Sequence, residues 1–453
     1  RRWHHYSGIY RAKTPHMLDI NYIRENQPKI RAAIKNKNVK VDLDQLLTLD
    51  EKRRQLITDI EGRRSEQNRT SEDIAKESDP KIKQAAIERM RELKDGLKEA
   101  EELLEPIQQE FNALLLDLPN VPLEDVPVGA DESGNEILRS WGEPKKFDFE
   151  IKDHTELGET LGLLNSQRAA EVTGSRFAYI MGDLARMQFA LLQYALNLLT
   201  SRKEIGRIIT ETGLDLPDTP FIPVVPPLMI RPEAFGRMDR LEPRDERYHI
   251  ESDDLYLIGS AEHTLGPLHM DQLLKEADLP LRYVAYTAAF RREAGSYGKD
   301  TRGIIRQHQF DKIEMETFCL PEQSRKEQDL LVAIQEYFLR DLEIPYRVMN
   351  VCTGDMGKPD ARQIDMECWM PGQEKYRETH SADLMTDYQA RRLSTRVKRN
   401  DGSVQYVHMN DATALAMGRI LVAIMENNQQ SNGKIAIPKI LIPLMGGQES
   451  IGQ

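Results

Sequence analysis

Residues 290–315 read FRREAGSYGKDTRGIIRQHQFDKIEM, a charged, glycine-containing centre between strand-like apolar runs. If the preceding run continues as a strand through Glu293, alternation of side chains places Arg291 and Glu293 on one face. That face then offers a cation and a hydrogen-bond acceptor together. On the following strand Phe310 and Glu314 share a face in the same way, which pairs an aromatic surface with a carboxylate.

The centre of this stretch predicts a loop between the two strands. It carries Lys299, Arg302 and Arg306, cations that suit a segment able to close over a polyphosphate. The residues alone equally allow a charged surface hairpin that binds nothing. Both interpretations stay open at this point.

The surrounding sequence mixes strand and helix patterns. A helix is predicted from about Gly182 to Arg202, and a final helix after Asn410. Because long crossover helices do not alternate regularly with the strand-like runs, the pattern favours an α+β fold with an antiparallel sheet flanked by helices over a doubly wound parallel sheet. The runs are centred on Leu255, Val284, Phe310, Tyr346, Ile364 and Val404.

The segment from about Asn21 to Asp117 is charged and periodic at helical spacing. Its second half has an apolar seam with alternating steps of four and three residues, which keeps the seam on one helix face. An earlier run from Leu49 to Ile74 keeps the same rhythm, and Ser78-Asp79-Pro80 predicts a turn between the two. We therefore expect an antiparallel two-helix coiled-coil arm. The seam consists of Ala86, Met90, Leu93, Leu97, Ala100, Leu104, Ile107, Phe111 and Leu114.

Basic residues along the arm are expected to lie off the seam. Since Glu and Asp are interleaved with them, they are typical of a solvated coiled-coil face, but they also suit an arm that contacts phosphates. They include Arg53, Arg54, Arg63, Arg64, Arg69, Lys81, Lys83, Arg89, Arg91 and Lys94.

Composition shifts divide the chain. Residues 118–135 are rich in Pro, Gly and acids and are interpreted as a linker between a helical arm, 17–117, and a second domain, 136–453. Residues 1–16 are basic and free of acids, a leader of unknown role, and we expect the functional protein to start near Met17.

Composition also limits the classes of protein. The 453 residues suffice for two or three domains, and a net charge of −12 restricts any nucleic-acid contact to local basic patches. Cys319, Cys352 and Cys368 are widely spaced, so we expect buried thiols rather than disulfides or a zinc site. No apolar run is long enough for a membrane span, and we expect a soluble, cytoplasmic protein without membrane association.

The 290–315 stretch resembles motif 2 of class II aminoacyl-tRNA synthetases, specifically the seryl enzymes' pattern FRxEAGSxGxDTRGLxRxHQFxKxE. The resemblance extends over nearly the whole chain from MLDINYIREN (17–26), through the arm, to ELGETLGLLN (156–165) and GSRFAYIMGDLARMQFALLQYAL (174–196). Seryl-tRNA synthetases bind tRNA through such an arm, so the resemblance implies tRNA(Ser), L-serine and ATP as partners.

The resemblance assigns roles within motif 2. Arg291 would contact the ATP α-phosphate and the serine carboxylate, and Arg292 would belong to the ATP site. Glu293 would accept a hydrogen bond from the adenine amino group. Phe310 would stack on the base, and Arg306 would lie near the phosphates.

Serine recognition is implied at two places. Glu314 would bind the serine hydroxyl or ammonium group. Ser260-Ala261-Glu262 resembles the family's Thr-x-Glu motif with serine replacing threonine, and strand alternation predicts that Ser260 and Glu262 share a face.

A later segment, 365–381, resembles the part of the family that supplies ligands for ATP and Mg²⁺. Glu378 and Ser381 would hold the magnesium ion, and Thr379 and His380 would belong to the ATP site. His380 and Ala382 depart from the residues that the family usually has there, and His380 is interpreted as a packing or hydrogen-bonding substitute.

The resemblance also covers motifs 3 and 1. In motif 3 Thr413 takes the place of a serine that touches the substrate, Arg419 would hold the γ-phosphate, and Asp411 replaces an asparagine. Arg419 joins Arg291 and Arg306 as the expected catalytic residues. Val225-Pro226-Pro227-Leu228-Met229 resembles the end of motif 1, which implies a homodimer.

The implied activity is ATP-dependent activation of L-serine followed by its transfer to the 3′ end of tRNA(Ser), with tRNA(Sec) as an additional candidate. Two alternatives stay open. One is a ligase that loads an amino acid onto a carrier protein, which the full-length arm disfavours. The other is a degenerate paralogue that only binds tRNA, which the retained Arg291, Glu293, Glu314 and Arg419 disfavour.

Overall fold

The computed structural model describes residues 18–294 and 302–452. The chain divides into two compact units between Pro119 and Asn120, and each is taken by itself below. The predicted leader, 1–16, lies outside the described residues, as do Met17, Lys299 and the rest of 295–301.

The first unit is helical, and most of it is one long hairpin. Asp79 caps the second long helix by accepting the backbone N–H of Lys81 at 2.8 Å, which places the turn at the predicted Ser78-Asp79-Pro80. The predicted seam is buried or half-buried along its length, with Leu93, Ala100 and Phe111 fully buried. The coiled-coil hairpin is therefore confirmed. The helices are α1 (Ile20–Glu25), α2 (Gln27–Asn36), α3 (Leu43–Lys76) and α4 (Pro80–Asp117).

Two short helices, α1 and α2, precede the hairpin. The sequence pattern did not predict them as separate helices. Their apolar residues Ile23 and Ile30 are fully buried. Arg24 on α1 reaches Asp50 on α3 at 2.9 Å, and Asp50 is itself buried. These contacts fix α1 to the long hairpin.

The second unit is built on an eight-stranded sheet in the order β1-β11-β12-β13-β16-β10-β9-β4. Each neighbouring pair is antiparallel except β4 with β9, so the predicted antiparallel α+β fold is confirmed. Its five central strands, with 9 to 12 residues each, are longer than the predicted short runs. The sheet consists of β1 (Glu136–Trp141), β4 (Ile222–Val224), β9 (Leu281–Phe290), β10 (Gln309–Cys319), β11 (Tyr346–Asn350), β12 (Arg362–Met370), β13 (Lys375–Thr386) and β16 (His408–Ala416).

Short strands form small additional sheets around the large one. They are β2 (Leu164–Asn165), β3 (Tyr179–Ile180), β5 (Met229–Ile230), β6 (His249–Ile250), β7 (Leu255–Leu257), β8 (Leu273–Lys275), β14 (Arg396–Lys398), β15 (Val404–Tyr406), β17 (Ile435–Ala436) and β18 (Ser450–Ile451).

Helices cover one face of the large sheet and enclose its main apolar core. The predicted helix near Gly182 is confirmed. The final helix starts only at Met417, because the residues after Asn410 continue β16, where they are buried in the sheet. The helices are α5 (His154–Thr160), α6 (Ser166–Val172), α7 (Gly182–Leu199), α8 (Arg202–Thr212), α9 (Pro232–Arg237), α10 (Glu262–Leu265), α11 (Ser324–Asp341), α12 (Tyr388–Leu393) and α13 (Met417–Asn427).

The proline-rich segment that follows the first unit is held by specific hydrogen bonds. The side-chain amide of Asn120 donates to the carbonyls of Pro359 and Met385, both at 2.8 Å. Residues 120–135 thus belong to the second unit, which begins near the start of the predicted 118–135 linker.

All three cysteines are buried and unpaired, as predicted. Within residues 18–294 and 302–452, no helix is long and apolar enough to cross a membrane.

Candidate active site

A cavity of about 660 Å³ opens on the sheet face opposite the main helical core. Strands β10, β13 and β16 supply much of its lining, together with the start of α13 and the segments after β9. The structure brings most of the predicted site residues together here. They are Glu262, Arg291, Glu293, Arg306, Phe310, Glu314, Glu378, Thr379, Ser381, Thr413 and Arg419.

Four predicted site residues lie outside the lining. Ser260 and Ala261 are fully buried beneath it, and Arg292 is exposed with its guanidinium 5.5 Å from the Tyr248 ring centre. His380 is buried and bonds to the Thr379 hydroxyl at 2.8 Å. Burial lowers the pKa of His380 to about 3, so its imidazole is neutral at physiological pH.

Arg291 is held in place by backbone and aromatic contacts. Strand β9 ends at Phe290, and the Arg291 Nε donates to the Gly259 carbonyl at 3.0 Å. Its guanidinium carbon lies 5.4 Å from the centre of the Phe310 ring, within the range of a cation–π contact. The cation and the aromatic surface are therefore adjacent at the cavity wall.

The predicted reason for pairing Arg291 with Glu293 is wrong. Neither residue is in β9, and Glu293 has a left-handed φ of +53°, so alternation along a strand does not apply. Glu293 nevertheless reaches the cavity and accepts a hydrogen bond from Arg306 at 2.6 Å. A turn rather than a strand thus presents this carboxylate.

The predicted geometry of Ser260 and Glu262 is wrong in the same way. Ser260 lies in a bend after β7, and Glu262 begins α10. The Ser260 hydroxyl lies 2.9 Å from Glu262 Oε2 and 3.2 Å from Glu314 Oε2. The Lys312 ammonium contacts both Ser260, at 3.1 Å, and Glu314. Hydroxyl and carboxylates therefore do converge, through a turn and a helix start.

The two carboxylates differ in charge state. Burial opposes the charge of Glu262, but Lys312 and then Arg240 outweigh it and hold the pKa of Glu262 below its usual range. Burial raises the pKa of Glu314 to about 7, since Lys312 compensates only partly and Glu262 adds repulsion. Glu262 is an anion in the free protein, whereas Glu314 is poised to gain or lose a proton.

Glu378 and Ser381 face the cavity together because β13 contains a bulge. Glu378 pairs with Glu367 and His380 pairs with Met366, so Thr379 is an extra residue. The extra residue lets side chains three positions apart point the same way. Arg419 lies 3.1 Å from the Glu378 carboxylate, and this arginine and Arg291 lower the pKa of Glu378 against the effect of burial.

Several lining residues were not predicted. Lys312 stands between Phe310 and Glu314 on β10, and strand alternation contained the signal that would have identified it. Arg240, Asp360 and Asp383 also line the cavity. Arg240 follows α9 in a loop, where no periodicity indicates which way a side chain points.

The segment 303–305, inside motif 2, is packed between α5 and α13. The Ile304 backbone N–H donates to His154 Nε2 at 3.4 Å, and a Cβ added to Gly418 would lie 2.5 Å from the Ile304 carbonyl oxygen. This segment leads to Arg306, and Gly418 directly precedes Arg419. Their close packing therefore fixes the two expected phosphate-binding arginines relative to each other.

Comparisons with known proteins agree with this architecture. Residues 17–122 match the family described as "Seryl-tRNA synthetase N-terminal domain", and residues 246–428 match "tRNA synthetase class II core domain (G, H, P, S and T)". The serine–tRNA ligase of Geobacter sulfurreducens is 41% identical over 96% of this chain and 100% of its own. That of Thermomicrobium roseum is 42% identical over 96% of this chain and 95% of its own.

Solved structures give the same result. The seryl-tRNA synthetase of Pyrococcus horikoshii complexed with ATP superimposes with a TM-score of 0.86 at 35% identity, covering 96% of this chain and 99% of that one. The cytoplasmic enzyme of Naegleria fowleri, in complex with AMP, gives 0.83 at 31% identity over the same shares. The resemblance seen in the motifs is confirmed: the chain belongs to the seryl-tRNA synthetases, the class II aminoacyl-tRNA synthetases that use ATP to ligate serine to tRNA.

Proposed function

We propose that the cavity activates L-serine as seryl-adenylate and then transfers the seryl group to the 3′ end of tRNA(Ser). The observation that carries this proposal is the grouping of Arg291 and Phe310 with Glu262 and Glu314 in one cavity. An aromatic face beside a guanidinium suits a nucleotide base and its phosphates, and carboxylates suit an amino group.

In the first step the serine carboxylate attacks the ATP α-phosphorus in line, and pyrophosphate leaves. Arg291 stabilises negative charge on the α-phosphate and on the attacking carboxylate, while Phe310 stacks on the adenine. Arg306 and Arg419 neutralise the outer phosphates. Each of these cations lines the cavity, so positioning and charge stabilisation suffice without a protein nucleophile.

Glu293 accepts from the adenine amino group in this proposal. It is already held by Arg306 at 2.6 Å, so its carboxylate is fixed before the nucleotide arrives. Glu314 accepts hydrogen bonds from the serine ammonium or hydroxyl group, and Ser260 and Thr413 lie beside the same substrate. Ser260 acts from beneath the cavity through its bonds to Glu262 and Glu314.

We propose Glu378 and Ser381 as the protein ligands of the Mg²⁺ that accompanies ATP. The two side chains share a cavity face through the β13 bulge, and carboxylate and hydroxyl oxygens are ligands that Mg²⁺ accepts. The Ser381 hydroxyl also lies 2.8 Å from Asp383, which orients it. Bound there, the ion would offset charge on the ATP phosphates.

In the second step the terminal ribose hydroxyl of the tRNA attacks the carbonyl carbon of the adenylate, and AMP leaves. We propose that the α3–α4 hairpin binds the tRNA backbone. Arg69, Arg91 and Lys94 are exposed on it, and phosphate contacts of this kind make binding fall as salt rises.

We also propose a homodimer formed at the edge of the large sheet. Apolar residues around the edge strand β4 are exposed, including Val225 at 96%, Ile222 at 46% and Met229 at 45%. A second copy that covers them would remove this apolar surface from water. Sedimentation equilibrium tests the proposal, which a monomeric mass at micromolar concentration would refute.

We infer a cytoplasmic location because translation uses the charged tRNA there.

Charging of tRNA(Ser) with radiolabelled serine tests the proposed function. The parent should charge tRNA(Ser), and replacing Arg69, Arg91 and Lys94 by Gln should raise the KM for tRNA without changing serine-dependent ATP–pyrophosphate exchange. Replacing the exposed Lys146, Lys275 and Lys398 by Gln is the matched control. Failure of the parent to charge tRNA(Ser) would refute the function, and the same assay with tRNA(Sec) decides whether that tRNA is also a substrate.

A further inference from the structure

Asp411 introduces a carboxylate into the wall of the amino-acid part of the cavity. It lies on β16, where its cross-strand neighbours are Glu316 on β10 and Asp383 on β13. Its side chain is buried but lines the cavity, and Oδ2 makes no hydrogen bond to any residue that the structure describes. A buried carboxylate oxygen without a donor is costly unless a ligand supplies one.

The oxygen belongs to a compact group of three acceptors. One carboxylate oxygen each from Glu262, Glu314 and Asp411 lie within 4.8 Å of one another. A tetrahedral ammonium group that donates three bonds of about 2.8 Å places its acceptors about 4.6 Å apart. The spacing therefore fits one primary ammonium group that donates one N–H to each carboxylate.

Lys312 contacts Glu314 and lies 3.9 Å from Glu262 in the free protein, and the cation that contacts Asp411 is Arg240. Its guanidinium lies 3.6 Å from Asp411, 3.7 Å from Glu262, 3.8 Å from Asp360 and 3.9 Å from Asp383. These contacts are longer than hydrogen bonds, so Arg240 offsets the charge of the carboxylates without using up their acceptors. Burial, Glu262 and Asp383 raise the pKa of Asp411 well above its usual value, and a bound cation would reverse that shift.

We propose that Asp411 is a specificity-determining residue that accepts the third N–H of the substrate's α-ammonium group, with Arg240 as the counter-charge that allows it to be buried there. This inference rests on the proposed function, because it takes the amino-acid substrate to bind beside Glu262 and Glu314. It adds a third acceptor to those two carboxylates.

The test measures ATP–pyrophosphate exchange with the whole protein and two amino acids, L-serine and N-methyl-L-serine, which lacks one N–H. Asp411→Asn keeps the shape and removes the charge, and Asp411→Ala removes the acceptor. Glu316→Gln is the matched control. Glu316 is buried next to Asp411 but lies outside the cavity lining, and burial raises its pKa well above the usual value, so the neutral amide imitates its protonated form.

Loss of one charge-assisted hydrogen bond should raise the KM for serine roughly 10- to 100-fold in Asp411→Ala, with the KM for ATP within about twofold of the parent. The rise should be smaller in Asp411→Asn, because its amide oxygen still accepts a hydrogen bond. The parent should have a higher kcat/KM for serine than for N-methyl-L-serine, because the methyl group removes one hydrogen bond to a carboxylate. Asp411→Ala lacks that bond with either amino acid, so the ratio of the two kcat/KM values should fall at least about tenfold. Glu316→Gln should change neither the KM for serine nor the preference for serine over N-methyl-L-serine.

An unchanged serine KM in folded Asp411→Ala would overturn the inference, and so would an equal rise in the KM for ATP. If the variants fail to fold, the parent alone decides: acceptance of N-methyl-L-serine as readily as serine contradicts a three-acceptor site. A parent that shows no serine-dependent exchange would instead refute the proposed function, so the two failures are distinguishable.

Discussion

His154 Nδ1 lies 3.0 Å from the carboxylate of Glu426, and the two side chains join α5 to α13 inside the second unit. The Glu426 residue also accepts the backbone N–H of His154 at 3.1 Å and that of Gly372 at 2.9 Å. With Nδ1 donating to Glu426, Nε2 is the acceptor for the Ile304 N–H. The pair therefore fixes the tautomer that holds the segment leading to Arg306.

Replacing His154 by Ala should impair ATP use more than serine use. Without the imidazole the Ile304 N–H loses its acceptor and Arg306 loses its fixed position. A displacement of this kind lowers kcat/KM for ATP roughly 10- to 100-fold. Pyrophosphate-exchange kinetics measure it, with His249→Ala as control because that histidine pairs with Asp254 at the surface. Equal effects of the two substitutions on kcat/KM for ATP would contradict the role of His154 in positioning Arg306.

Gly303→Ala should disrupt the same contact by changing the segment instead of His154. Gly303 has a φ of +73°, and an added Cβ would lie 2.0 Å from His154 Nε2. Gly213→Ala is the control, because its φ of +67° carries similar strain while nothing lies within 4 Å of the added Cβ. The control should lose about 1–2 kcal/mol of stability and keep its activity, whereas Gly303→Ala should lose more stability and most of its exchange activity. Thermal unfolding and exchange assays measure both effects. The opposite order of the two variants would contradict the packing of His154 against the segment that contains Gly303.

The sequence allowed prediction of those features that periodicity governs. The seam from Ala86 to Leu114 indicated the hairpin, and alternation on β10 correctly placed Phe310 and Glu314 on one face. Features that depend on single irregular residues were not predictable. The bulge at Thr379 and the left-handed turn at Glu293 follow from tertiary contacts that no local pattern encodes.

Long-range charge compensation was also beyond prediction. Arg240 follows α9, whereas its partners Asp360, Asp383 and Asp411 come from segments more than a hundred residues later. The sequence marked Asp411 as a departure from the family, but it did not indicate the cation that accompanies it. Only the fold brings Arg240 within 4 Å of each of these carboxylates.

Serine use should depend on pH near neutrality. Burial raises the pKa of Glu314 to about 7, and the ionised form is the one that accepts hydrogen bonds from serine. The kcat/KM for serine should therefore rise from pH 6 to pH 8, and Glu314→Gln should abolish that rise. A parent profile that is flat across this range would show that Glu314 does not titrate there.

The stability of the free protein should respond to Glu314 with the opposite sign. Its folded-state pKa is above the ordinary value of 4.5, so the folded state binds the proton more tightly than the unfolded state. The stabilisation is fully present below about pH 4.5 and is lost as pH rises through about 7. Comparing the pH dependence of unfolding in the parent and in Glu314→Gln isolates this contribution. An identical dependence in both would contradict it.

Breaking the buried ion pair between Arg282 and Glu327 should destabilise the protein far more than breaking an exposed ion pair. Both side chains are completely buried, with bonds of 2.9 and 2.7 Å between β9 and α11. Glu327→Gln leaves a buried guanidinium uncompensated and should cost about 3–5 kcal/mol of unfolding free energy. Asp215→Asn, which breaks the exposed pair with Lys326, should leave the unfolding free energy almost unchanged. Urea denaturation measures both, and similar costs for the two would contradict the role of burial.

Serine-dependent ATP–pyrophosphate exchange by the parent and by Arg291→Ala measures whether the cavity forms seryl-adenylate and whether Arg291 is needed for it. Threonine, alanine and cysteine serve as amino-acid controls, and circular dichroism establishes that the variant is folded. We expect exchange with serine in preference to the other three amino acids. In Arg291→Ala the exchange rate should fall at least about 100-fold, because the charge on the α-phosphate is no longer stabilised. Undiminished exchange by a folded Arg291→Ala variant, or none by the magnesium-supplied parent, would contradict this expectation.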